Sequence, residues 1–125
     1  MKDADFRKGI DSKLMGQVNL VLIGQQYINP KGSFTLTSGI LSSDPIRNGA
    51  NLSAINGAIN SFTIAAAIEL ENNVRINTIS PGVVEDSPQL FPSFPGHIPV
   101  AMDRVVAAYI KSVEGAITGQ IIEVF

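Results

Sequence analysis

The sequence has no cysteine and no tryptophan, and only one histidine. Without cysteine there is neither a disulfide framework nor a thiolate metal site. A lone His97 cannot form a histidine pair at metal-binding spacing, and the absence of Gly-x-Ser-x-Gly excludes the nucleophile elbow of the Ser-His-Asp hydrolases. Long apolar runs are missing too. The longest, residues 18–24, is interrupted by Asn19 and is far shorter than the ~20 residues that cross a bilayer. Lys and Arg number 9 against 11 Asp and Glu, and they are scattered singly. Nucleic acid, which needs a basic stripe, is therefore not an expected partner. The opening Met1-Lys2-Asp3-Ala4-Asp5 is polar and unlike a signal peptide, so the expectation is a cytoplasmic protein with no membrane partner.

What is present suits one compact domain over residues 1–125. The chain is 45% hydrophobic and 16% charged, and at this length about two thirds of the unfolded surface is buried on folding. Apolar residues at Phe6, Ile10, Leu14, Val18, Val21 and Leu22 predict a helix over 5–28. Asn29-Pro30-Lys31-Gly32 ends it with a turn. A short β-prone segment at 33–38 precedes a loop over 41–51 rich in Ser, Asp, Pro, Asn and Gly. Leu52, Ile55, Ile59, Phe62, Ala66 and Leu70 mark a second helix over 52–72, and 74–80 reads as the next strand. Residues 82–99 form a long Pro-rich loop, and loops of that length in compact domains are usually functional. A helix over 102–113 and a strand over 120–124 complete the chain. Alternating elements of this kind predict a parallel sheet with right-handed helical crossovers. Three strands alone leave two open edges, so the chain looks like part of a larger sheet.

Four consecutive segments carry a family resemblance. Residues 32–39, Gly-Ser-Phe-Thr-Leu-Thr-Ser-Gly, resemble the strand that delivers the active-site Ser of the short-chain dehydrogenase/reductase family. Residues 53–59, Ser-Ala-Ile-Asn-Gly-Ala-Ile, resemble the start of its catalytic helix, normally Tyr-Ser-Ala-Ser-Lys-Ala-Ala. The most specific match is Val-Arg-Ile-Asn-Thr-Ile-Ser-Pro-Gly-Val-Val at 74–84, similar to the block that contacts the nicotinamide half of the cofactor. Residues 116–122 resemble the last strand. The resemblance implies an α/β fold: a partial Rossmann-like doubly wound parallel sheet comprising the last three strands with flanking helices. It also implies NAD or NADP as cofactor, a small-molecule carbonyl or alcohol as substrate, and a homodimer packed through the first two helices, where Leu20, Val21, Ile64 and Ile68 supply apolar surface.

The departures from the family pattern are equally specific. No two glycines are spaced as Gly-x-Gly, so the turn that seats a pyrophosphate at a helix N-terminus is absent from these residues, as is the Asn-Asn-Ala-Gly strand. By the resemblance the chain is a truncated, C-terminal portion that starts inside the fourth helix. Leu52 and Asn56 stand at the places of the catalytic Tyr and Lys, and neither donates a proton from an acidic group. Three residues are left as candidates for chemistry. Ser38 matches the family Ser within one residue of alignment. Lys13 falls where the family has a helix Asn, and from there it is expected to reach Ser38 and Asn56 across the helix interface; the competing reading is a solvated lysine. Pro81, Gly82 and Val83 are the expected cofactor contacts. Asp86 takes the place of a family Thr, and its charge would repel a pyrophosphate. His97, Phe91 and Phe94 fall in the segment where the family has its substrate lid. Two functions compete: an NAD(P)-dependent oxidoreductase half-site that is inactive alone, and a non-catalytic module that self-associates or binds a small molecule.

Overall fold

A computed structural model describes all 125 residues. The predicted first helix is a continuous rod made of α1 (Asp3–Gly9), one π turn (Ile10–Leu14) and α2 (Met15–Gly24). The π turn inserts an extra residue into the ladder, which rotates the faces on its two sides by about 100° relative to one another. A single helical register fails for that reason. Val21 is buried, whereas Ile10 and Leu22, both expected on the inward face, are exposed. Two glycines let the rod lie close to its neighbours. A Cβ on Gly9 would collide with Ile55, and one on Gly24 would stand 2.8 Å from the Phe34 ring.

The next elements are β1 (Ser33–Thr37), α3 (Ala50–Glu69), β2 (Arg75–Pro81), α4 (Met102–Glu114) and β3 (Ile121–Val124). The helix α3 begins two residues before the expected start and stops three before the expected end. Asn72 and Asn73, both at φ 58, turn the chain into β2, and Asn tolerates that left-handed conformation better than most residues. The strands form one parallel sheet in the order β1-β2-β3, with Thr35 opposite Asn77 and Ile79 opposite Ile122.

Alternation along the strands shows which helix covers which face. Phe34, Leu36 and Ile76 join Val21, Ile55, Ile59 and Ala66 in a core between the sheet, α2 and α3. Ile79 and Val124 join Val100, Val105 and Ala108 in a second core beneath α4. The sheet is therefore wound on both faces, as expected. One expectation needs correction. The steps from β1 to β2 and from β2 to β3 run in the same direction, but α3 and α4 lie on opposite faces. The two crossovers must then have opposite hands, so they are not both right-handed. The reversal is possible because residues 82–101 carry the chain over the C-terminal edge of the sheet before α4 begins.

The polar residues of β2 lock this arrangement. Asn77 has no exposed surface. Its Nδ2 donates to the Ile117 carbonyl (2.9 Å), and its Oδ1 accepts from the Gln120 N–H (3.1 Å). Arg75 donates to the carbonyls of Ser112, Val113 and Ile117, capping the C-terminal end of α4, where a cation opposes the helix dipole. Half of the Val-Arg-Ile-Asn motif is thus scaffolding. Asn77→Leu strands a carbonyl and an N–H, each at about 1–3 kcal/mol, and is expected to lower the urea midpoint sharply. An unchanged midpoint would mean that this clamp does not hold β3.

Candidate active site

Open parallel sheets bind ligands at the carboxyl ends of their strands, and this chain has a cleft of about 310 Å³ there. Its wall is assembled from four places. Lys13 comes from the π turn, Leu52 and Asn56 from α3, Gly39 to Leu41 from the segment after β1, and Pro81 to Val84 from the end of β2. Leu90 and Phe94, from the long loop, close the outer side. That loop is pinned at its base by a bridge between Val84 and Val100, with Val100 N–H donating to the Val83 carbonyl (2.8 Å).

Lys13 and Asn56 meet in this cleft. The Lys13 ammonium donates to Asn56 Oδ1 at 2.6 Å and lies 3.5 Å from the Ser38 carbonyl. No carboxylate lies on the cleft wall, and Lys13 has no ion-pair partner. Burial therefore acts on an uncompensated charge and pushes the Lys13 pKa below its ordinary 10.5. Gln17, one turn on, holds the rod against the sheet. Its amide donates to the Thr37 carbonyl (2.9 Å) and accepts the Thr37 N–H (2.8 Å) on the open edge of β1.

The other candidates are placed as follows. Ser38 is buried, its hydroxyl has no partner, and it does not line the cleft; Gly39 does. A Cβ on Gly39 would stand 3.1 Å from Asn56 Nδ2. The bare glycine leaves the space that the Asn56 amide uses. Pro81, Gly82 and Val83 all line the cleft, and the N–H of buried Val83 donates to no group of the chain. Asp86 is exposed and lies off the cleft wall. Of the three loop residues, only Phe94 reaches the cleft. His97 stacks edge-on against Phe94 with ring centroids 5.3 Å apart, and its Nε2 lies 3.6 Å from Asp44 Oδ2. Its side chain is largely buried and lines a neighbouring cavity with Ile40, Gly82 and Val83.

Sequence reasoning missed Leu41, Val84 and Leu90 as cleft residues. Their only signal was proximity to the motifs. Gln17 was missed as well, because nothing in a polar helix residue announces contact with a strand edge.

A parallel sheet wound on both faces, with a cleft over its strand ends, defines a Rossmann-like nucleotide-binding architecture. The sequence model of the enoyl-(acyl carrier protein) reductase family matches residues 1–97. A short-chain dehydrogenase/reductase from Acremonium sp, ucsE, is 31% identical over 86 residues, covering 67% of this chain and 32% of that protein. The solved structure of the protein lin1944 from Listeria innocua is 47% identical with a TM-score of 0.97, over 100% of this chain and 63% of that one. A small-chain dehydrogenase solved in complex with NADPH is 29% identical with a TM-score of 0.86, over 99% of this chain and 63% of that one. This chain belongs to the short-chain dehydrogenase/reductase family. It spans under two thirds of the length of these relatives.

The depressed Lys13 pKa has a testable sign. The folded chain gives up this proton at lower pH than the unfolded chain. Between the folded value and 10.5 the unfolded state holds more protons, so stability rises with pH. Wild type should therefore gain stability relative to Lys13→Met as the pH is raised toward 10.5, read by urea unfolding. A constant difference between the two proteins would show that Lys13 is not a desolvated cation.

Proposed function

We propose that this chain carries the substrate and nicotinamide side of an NAD(P)-dependent oxidoreductase site. In this reading Lys13, hydrogen-bonded to Asn56, takes over the proton handling of the absent Tyr-Lys pair. The observation that carries this reading is the 2.6 Å contact between Lys13 Nζ and Asn56 Oδ1 inside the cleft. By the resemblance, the family has Asn at the first position and Lys at the second. Here the two residue types are interchanged across the helix interface, and the cation reaches the α3 amide from the opposite helix.

The residues present fit the nicotinamide end of the cofactor. Val83 offers an unpaired N–H at the carboxyl end of β2, suited to a carboxamide oxygen, and the Leu90 and Phe94 side chains shield the cleft. Were nicotinamide held there, it would supply hydride chemistry at the carbonyl carbon of the substrate. Lys13 donates a hydrogen bond to the substrate oxygen, and its depressed pKa makes it a better proton donor than an exposed lysine. Asn56 orients the ammonium. Leu52, Leu90 and Phe94 select an apolar carbonyl compound or alcohol. Ser38 stays in the site as a buried hydroxyl behind Gly39, a supporting rather than a substrate-touching group. By itself the chain does not turn over, because it has no turn for the pyrophosphate.

Titration with reduced nicotinamide mononucleotide and with NADH, followed by nicotinamide fluorescence, tests this reading. Both should bind saturably in the millimolar range with similar affinity, since this chain recognises only the shared end. Failure of either to saturate would remove the cofactor from the cleft.

A second reading, a self-associating module, is favoured by the outer faces of α2 and α3. Leu20 and Ile23 are 55% and 61% exposed, and Ile64 and Ile68 are 52% and 85% exposed. The opposite sides of the same helices are in the core, so both helices are apolar on two faces, the pattern of burial against a second partner. A homodimer through these helices is compatible with the first reading. The solution mass should be that of a dimer, and Ile64→Glu should yield monomer with unchanged helical circular dichroism. A monomeric wild type would exclude the interface.

A further inference from the structure

Lys13 is an unusual lysine for a reason that does not involve nicotinamide. The chain has five lysines, and Lys2, Lys8, Lys31 and Lys111 are exposed. Lys13 alone lines a cleft, and seven of the twelve residues around that cleft are hydrophobic. None is acidic. The neighbour of its amine is a neutral amide oxygen, which does not hold the ammonium as a carboxylate would. The place four residues before Asn56, one turn along α3, is filled by Leu52, so no acid or hydroxyl is supplied from there either.

These are the conditions under which an amine acts as a nucleophile. Desolvation in an apolar pocket raises the neutral fraction of a lysine, and an apolar wall retains an apolar electrophile beside it. Burial acts here in that direction. We propose that the cleft is a covalent capture site in which Lys13 forms a reversible imine with small apolar aldehydes or ketones. The amine lone pair forms a C–N bond to the carbonyl carbon, and a proton passes from nitrogen to oxygen to give a carbinolamine. The hydroxyl then leaves as water with the second proton of the nitrogen, and the C=N bond forms. Atoms balance without an oxidant or reductant, and hydrolysis reverses the step. Asn56 Oδ1 accepts a hydrogen bond from the N–H of the attacking amine and of the carbinolamine, and so orients the nitrogen. Leu90 and Phe94 lie over the apolar body of the bound compound and limit the access of water. This goes beyond oxidoreduction and does not require it, since neither cofactor nor hydride takes part.

Incubating the chain with benzaldehyde and sodium cyanoborohydride, then mapping the reduced adducts by peptide mass, tests the proposal. The expected result is saturable labelling at Lys13, while the four exposed lysines and the terminal amine label in linear proportion to aldehyde. Lys13→Arg keeps the charge and the hydrogen-bond donors but forms no imine, and should lose the saturable component alone. Leu52→Asp changes a partly exposed position and introduces a carboxylate that holds the ammonium, so it should also suppress that component in a folded chain. Labelling spread over all amines without saturation, or saturable labelling that survives Lys13→Arg, would overturn the proposal. Neither outcome bears on nicotinamide binding, which is read separately by fluorescence.

Discussion

The central strand has no solvent face, and most of the structure follows from that. In β2, Ile76, Asn77, Thr78 and Ile79 all have no exposed surface. A parallel strand in that position must have every polar group satisfied from within the protein. Thr78 pairs with Thr63 on the α3 side, while Asn77 bonds the 117–120 turn on the α4 side. These partners lie on opposite faces, so the chain must cross from one face to the other between α3 and α4. It can do so only over the carboxyl ends of the strands. The long loop that makes the crossing is therefore also the outer wall of the cleft.

The site sits where this constraint relaxes. Beyond Pro81 the strand leaves the sheet, and the backbone of Val83 and Val84 is shared between the loop bridge and the cleft. The opposite wall depends on another local irregularity, the π turn in the first helical rod. Regular α-helix would offer one face to the core, whereas the extra residue lets Gly9 on one side, and Val21 and Gly24 on the other, both pack inward. Lys13 lies inside that turn. Its amine meets only neutral oxygens, those of Asn56 and Ser38, in a cleft lined mostly by hydrophobic residues, an arrangement that costs stability and is common at functional sites. Gly39 belongs to the same arrangement, since a side chain there would crowd the Asn56 amide.

Membership of the short-chain dehydrogenase/reductase family and the departures from its pattern are compatible once the contact between Lys13 and Asn56 is considered as a unit. Taken singly, each residue is a loss: an uncharged group where the family has Lys, and a flexible cation where it has Asn. Taken together they form one cation–amide contact across the helix interface. The helices that carry them also present apolar outer faces, so the proposed pairing of two chains would use the same scaffold as this contact.

Much was legible in the residues themselves. Periodicity of 3.6 residues and β-prone segments located every β-strand and α-helix to within a few positions, and the family resemblance of the Asn-Thr-Ile-Ser-Pro-Gly segment marked the end of a strand beside a site. These are local properties, set by side-chain spacing and backbone preference, and a linear sequence contains them in full. The direction of the second crossover, the exposure of Ile10 and Leu22, the burial of Ser38 and the clamp made by Asn77 were not legible. Each depends on which distant group arrives at the other end of a contact. A π turn leaves no reliable mark in a linear pattern, and a buried hydroxyl cannot be told from a cleft-lining one until the next residue's neighbours are known. The sequence by itself determined the order and kind of the elements and the residue types available for chemistry. Only the tertiary structure decided that Lys13 and Asn56 meet, because residues 43 apart in sequence come into contact only when two helices pack against the same sheet.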